Sequence, residues 1–168
     1  PIGGKVTGAS YSWTNANTAI GLQATGTGNI PVFNTANSST TSVASSLVTV
    51  SPSLLFNGQT CTGPSTTFSI QINPGTTINT VPNVQLCNGE TSVAINFSGS
   101  GSNYTWTNNG TNIGFASSGT GGIPSFTATN SGITPVTTTI TVTSQFSGGG
   151  TGCNGGSTTF NIQVLPTP

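Results

Sequence analysis

The sequence predicts an all-β fold of β-sandwich units in tandem, and three observations carry that prediction. Apolar residues fall in short runs of period two, as half-buried strands require. No run of Ala, Leu, Lys or Glu at helical spacing is free of Gly or Pro. Finally, one pattern is written twice. Tyr11 through Asn37 returns as Tyr104 through Asn130 at an offset of 93, with 14 of 27 positions identical. Cys61 through Pro74 returns as Cys153 through Pro166 at an offset of 92, with 9 of 14 identical. A repeat of about ninety residues can hold its own core. The expected domains are therefore residues 1–74 and 75–168.

Copy one reads as a strand carrying Trp13, a glycine-rich turn Gly26-Thr27-Gly28-Asn29-Ile30-Pro31, and strands over Val43–Val50 and Phe68–Ile72. Copy two adds the alternating run Val93–Phe97, then repeats the series with Trp106, Gly119–Pro124, Val136–Val142 and Phe160–Val164. Thr fills the alternate positions, where its branched carbon suits a pleated surface and its hydroxyl keeps the outer face wet. Asn57-Gly58, Asn88-Gly89, Asn109-Gly110 and Asn154-Gly155 are expected as tight turns, and Gly148–Gly150 as a loop. The glycine-rich turns are not phosphate cradles, because Pro and a strand-like Phe follow them where such a cradle needs a helix.

Strands and turns at this spacing point to immunoglobulin-like sandwiches. The expected core is Trp13, Trp106, Phe33, Phe126, Phe68 and Phe160, with Phe97 in the same layer. Tyr11 and Tyr104 share the inward face by parity. The competing reading of these aromatics is a sugar-binding platform, which needs them exposed.

Charge excludes more than it suggests. Lys5 and Glu90 are the only charged side chains, and His and Asp are absent. One Glu, read as a solvated loop residue, cannot make a paired-carboxylate or triad site, so no catalytic residue and no enzyme is expected. No metal or cofactor has a credible ligand set. A single Lys cannot neutralise phosphates, so nucleic acid is not an expected partner, nor is an anionic membrane surface. No apolar stretch reaches the length of a membrane span. Net charge of zero with 32% apolar residues favours order over disorder.

Cys87 and Cys153 bracket nearly all of copy two. A disulfide between them is expected over two buried, reduced thiols, and closing so long a loop would add about 4 kcal/mol. The counterpart of Cys87 in copy one falls before residue 1, as do its first strands, leaving Cys61 unpaired. The first repeat is thus expected to be incomplete at its N-terminus: a cut from a longer array, or a unit completed by a strand from another chain. Asn37, Asn96, Asn103 and Asn109 stand in Asn-x-Ser/Thr sequons, which matter only in a glycosylating host.

Tyr-x-Trp-Thr-Asn, then Ile-Gly, Gly-Thr-Gly-x-Ile-Pro-x-Phe, a Thr/Val strand, and Ser-Thr-Thr-Phe-x-Ile-x-Val with a proline-rich exit resemble the PKD-like, immunoglobulin-like repeats of giant Bacteroidota cell-surface adhesins. The resemblance covers copy two fully and copy one from about residue 5. Copy one departs from it at Thr60-Cys61, where copy two has Gly152-Cys153. The resemblance implies type IX secretion, an extracellular cell-surface location, and a filament of the kind used in gliding motility. The repeats would serve as semi-rigid spacer and adhesive surface. Partners would be neighbouring repeats of the same protein, with surface glycans or abiotic surfaces as candidate targets. Prolines at Pro74 and Pro82 limit bending where the copies join. Two alternatives stand beside this reading: a self-assembling filament subunit completed by strand donation, and a carbohydrate-binding module.

Overall fold

The computed structural model describes residues 7–148 and 152–167. Lys5 and the Gly149–Gly150 part of the expected glycine loop lie outside them. The described residues are almost wholly β, with one 3-10 turn at Thr18–Ile20 and no α-helix. Two compact units divide the chain, unit 1 ending at Asn73 and unit 2 beginning at Pro74.

Unit 1 contains β1 (Ser10–Asn15), β2 (Thr25–Thr27), β3 (Ala44–Phe56), β4 (Gln59–Thr62) and β5 (Thr66–Ile72). Unit 2 contains β6 (Val84–Cys87), β7 (Asn103–Asn108), β8 (Ser118–Thr120), β9 (Val136–Phe146) and β10 (Cys153–Leu165). The first sheet runs β2-β1-β3-β4, with β5 also on β3, and the second β8-β7-β9-β10-β6. Pairing is antiparallel except β6 with β10. The registers correspond: Trp13 faces Val50 and Gly26, as Trp106 faces Val142 and Gly119, while Val48 faces Phe68 as Ile140 faces Phe160.

In β9, Thr138, Ile140, Val142 and Ser144 are buried, while Thr137 and Thr139 are exposed and Thr141 and Thr143 half-exposed. Period-two alternation thus turns directly into an inner and an outer face. One difference between the units traces to a single residue. β10 continues through a bulge between Asn154 and Ser157, whereas β4 and β5 are separate strands interrupted at Gly63-Pro64-Ser65. Pro64 stands where unit 2 has Gly156 and has no N–H to give the ladder.

Among the described residues each unit has one five-stranded sheet, and the layer opposite is irregular. In unit 2 that layer is held by isolated bridges, Thr91 with Thr127 and Ile95 with Ile123. The expected strand Val93–Phe97 is therefore corrected to an irregular segment. Val93 is 83% exposed, so the alternation marks the packing of Ile95 and Phe97 against the core rather than a ladder. Two of the four Asn-Gly turns are corrected as well. Asn57-Gly58 has positive φ at both residues and closes the β3–β4 hairpin, and Gly89 has positive φ in the turn after β6. Gly110 and Gly155 have none, and are glycine because Thr138 and Thr76 approach too closely for a Cβ.

The unit 2 core joins Leu86, Trp106, Ile140, Val142, Phe160, Ile162 and Val164 from the sheet to Ile113, Ile123, Phe126 and Ala128 from the opposite layer. The unit 1 core is smaller: Trp13, Ile20, Leu22, Val48 and Val50. Phe33, Tyr11, Ile70 and Ile72 pack against it half-buried.

Candidate functional site

The two tryptophans lie inside the molecule and offer no platform. Trp13 and Trp106 are buried, and the indole Nε1 of each is enclosed without a hydrogen-bond partner. An enclosed, unpaired donor costs about 1–3 kcal/mol, and the cost falls at the same register position in both units. Tyr11 and Tyr104 are half-buried against the cores, Tyr104 meeting Phe97 edge-on with ring centroids 6.1 Å apart.

Phe126 and Phe160 are buried, Phe160 with its ring centroid 6.3 Å from that of Phe97. Phe68, expected in the core, is corrected to a surface residue, 42% exposed against 2% for Phe160. The letters match but the cover does not: in unit 2 the segment carrying Phe97 overlies Phe160, and among the described residues of unit 1 no equivalent segment overlies Phe68.

The expected Cys87–Cys153 disulfide is also corrected. Cys61, Cys87 and Cys153 are all outside disulfides. Because β6 runs parallel to β10, Cys87 sits beside Leu165, whereas Cys153 begins β10. At about 3.3 Å per residue, a strand of that length separates the two cysteines by about 40 Å. A disulfide spans a Cα separation under about 7 Å. Cys61 lies on β4 opposite Leu54.

What the sheets present to solvent is a field of hydroxyls and amides. On unit 2, Gln85 Nε2 donates to Gln163 Oε1 (2.7 Å) and Gln163 Nε2 to Thr137 Oγ1 (3.2 Å). Thr139 Oγ1 donates to Asn161 Oδ1 (2.9 Å), and Thr143 and Ser157 share a hydroxyl–hydroxyl bond (2.9 Å). A shallow depression of about 260 Å³ opens there between Asn83, Val84, Gln85, Thr137, Asn161 and Gln163. On unit 1 the hydroxyls of Ser10 and Ser53 pair across β1 and β3 at 3.0 Å. Such a surface exchanges hydrogen bonds with sugars, amides or water and carries no charge for salt to screen.

Asparagines hold the loops behind this surface. Asn130 Nδ2 donates to Thr134 O and Val164 O, both at 2.9 Å, and Asn37 Nδ2 donates to Ser42 O (2.9 Å) and Ile72 O (2.8 Å). Buried in the same way, Asn15 accepts from the Ser46 hydroxyl and Asn108 from the Thr138 hydroxyl. The alternation patterns did not reveal these residues, although the repetition of Asn37 as Asn130 and of Asn15 as Asn108 was their visible signal. The Asn37 sequon is spent on this role, since a glycan on Nδ2 would break one or both bonds.

Glu90 is exposed and accepts the Cys87 N–H at 2.8 Å, closing the turn after β6. Among the described residues no three of His, Cys, Asp and Glu stand together, and no helix is long and apolar enough to cross a membrane. A second groove, of about 340 Å³, lies on unit 1 between Gly21, Leu22, Pro31, Val32, Phe33 and Asn34.

No protein-family model matches the chain, and a search of curated proteins returned no match.

Proposed function

We propose that this chain is a non-catalytic segment of a long extracellular adhesin filament, its two units being tandem immunoglobulin-like, PKD-like repeats that act as semi-rigid stalk and adhesive surface. One observation carries the reading: two units whose shared strands keep the same order and register each turn an uncharged hydroxyl and amide face outward. A stalk needs many copies of one self-sufficient unit, and neighbouring copies of this protein are its first partners. A neutral polar exterior holds the same interactions as salt and pH change, which suits a filament in open water. Glycans or abiotic surfaces are the targets such a face would grip, through many weak hydrogen bonds in parallel.

The carbohydrate-module reading has less support, because both tryptophans are interior and both tyrosines half-covered. The stalk reading is tested by antibodies raised against unit 2 and applied to intact source cells. Labelling that projects from the cell, with attachment lost when the repeats are deleted, is the expected result. Antigen found only after lysis overturns the extracellular assignment, and unchanged attachment overturns the adhesive one.

A further inference from the structure

We infer that the depression where β6, β10 and β9 meet on unit 2 is a subsite for one ring of a neutral polysaccharide, held by amide donors rather than by aromatic stacking. This rests on the adhesive reading of the outer face and gives that reading a ligand class.

The depression, of about 260 Å³, has walls set by hydrogen bonds between its own side chains. Asn161 stands one residue before β10 meets β6, and its backbone N–H donates to Asn83 Oδ1 at 2.8 Å. Asn161 Oδ1 in turn accepts the Thr139 hydroxyl at 2.9 Å. Alongside, Gln85 donates to Gln163 Oε1 and Gln163 to Thr137 Oγ1. Each of these bonds engages a side-chain oxygen and leaves hydrogens over. Among the described residues nothing accepts from Asn83 Nδ2, Asn161 Nδ2 or the Thr137 hydroxyl. The amide nitrogens of Gln85 and Gln163 keep one hydrogen each. The site is thus rich in N–H and O–H donors, already oriented, and none of its lining residues is ionisable.

Donors in that number call for a ligand dense in acceptor oxygens. An anion is disfavoured, because no positive charge is present to offset its desolvation. The hydroxyl and ring oxygens of a neutral sugar meet both conditions. Since the amides are already held in place, little rotamer freedom is lost when the ligand arrives. Pockets for drug-sized molecules begin at about 300 Å³, so an open depression just below that size takes one ring and leaves the rest of a chain outside. Beyond it the pairs Thr141–Thr159 and Thr143–Ser157 continue along β9 and β10, spaced by about 6.8 Å. A polymer laid along the strands meets a pair of hydroxyls at each step.

Unit 1 keeps the frame without the donors. Gln71 pairs with Ser45 as Gln163 pairs with Thr137, but Ser69 replaces Asn161 and Leu47, 49% exposed, replaces Thr139. Leucine can neither orient an amide nor bind a hydroxyl, so the subsite belongs to unit 2.

The test titrates cellohexaose, laminarihexaose and xylohexaose to millimolar concentration into the isotope-labelled full chain, with hexagalacturonate as the charged control. Expected are saturable shifts of the side-chain amide signals of Asn83, Asn161 and Gln163 with at least one neutral chain, and none at Gln71. Asn161→Asp keeps the acceptor for Thr139 and removes only the amide donor, so it should weaken binding about tenfold. Thr120→Ala, on the far edge strand β8, should leave binding unchanged. No shift with any neutral chain, shifts centred elsewhere, an equal response to hexagalacturonate, or undiminished binding by Asn161→Asp would each overturn the inference. The adhesive reading fails separately: attachment lost on deleting the repeats, with no saccharide bound by the purified chain, sinks the subsite alone, whereas saccharide binding with unchanged attachment upholds the subsite and sinks that reading.

Discussion

Trp106 and Gly119 are cross-strand partners on β7 and β8, packed so closely that a Cβ on the glycine would lie 2.4 Å from the indole Cζ2. Trp13 and Gly26 repeat the contact, with a Cβ 2.1 Å from the same ring atom. Each indole thus lies flat over its neighbouring strand because that strand has no side chain there. Gly119→Ala should destabilise unit 2 by about 2–3 kcal/mol, since the ring has no free volume to retreat into. Urea unfolding followed by Trp fluorescence measures this, and a change under about 0.5 kcal/mol would mean that the ring is not confined.

Phe68 and Phe160 are the same letter at the same register and should respond differently. Phe160→Ala is expected to cost about 3–5 kcal/mol, as for an enclosed aromatic, and Phe68→Ala less than about 1 kcal/mol. Thermal denaturation of the two variants side by side checks the pair, and equal losses would contradict the exposed position of Phe68.

The cysteines should behave as thiols. The intact mass should correspond to three reduced cysteines, and adding a reductant should leave the unfolding temperature unchanged. Cys87→Ser, at an exposed site, should shift stability by no more than about 0.5 kcal/mol. A protein that loses several kcal/mol on reduction would demand a different strand pairing for β6.

Asn130 ties its loop to β10 through two backbone carbonyls. Asn130→Ala leaves both without their amide donor and should cost about 2–3 kcal/mol. Asn130→Asp goes further, placing a carboxylate against those carbonyl oxygens. That repulsion holds the folded carboxyl above its ordinary value of about 4, so the protonated form is favoured in the folded state. The sign follows: the penalty is smallest below the ordinary value and grows as pH rises through and beyond it. Unfolding free energies at acid and neutral pH check this, and a variant less stable in acid than at neutral pH would refute it.

Much of the fold was legible because period two is a direct signal of strand faces: the Val136–Val142 run became β9 with its predicted inner and outer sides. Strand direction was not legible. Two cysteines that bracket a unit read as neighbours, yet a parallel β6 carries Cys87 to the far end of β10 from Cys153. Burial was legible only where the covering element could be read as well: Phe160 lies under the segment carrying Phe97, whereas among the described residues nothing covers Phe68 in that way. Asn-Gly pairs were ambiguous between two needs of glycine, a positive φ at Gly58 and room for a neighbour at Gly155. The hydroxyl face was foreseeable from Thr at alternate positions, whereas the amide links of Asn37 and Asn130 are long-range and left only their repetition as a trace.

The parallel run of β6 beside β10 has a mechanical consequence. Thr76 O accepts the Gly156 N–H near one end of β10, and Cys87 lies beside Leu165 at the other, so the chain arrives and departs in the same direction. Tension on the two termini of unit 2 therefore pulls these strands lengthwise past each other and loads their shared bonds in shear, all together. Peeling them one at a time, as in unzipping a hairpin, is not available to that force. A unit threaded this way resists stretching through its slow rupture rate rather than through its equilibrium stability.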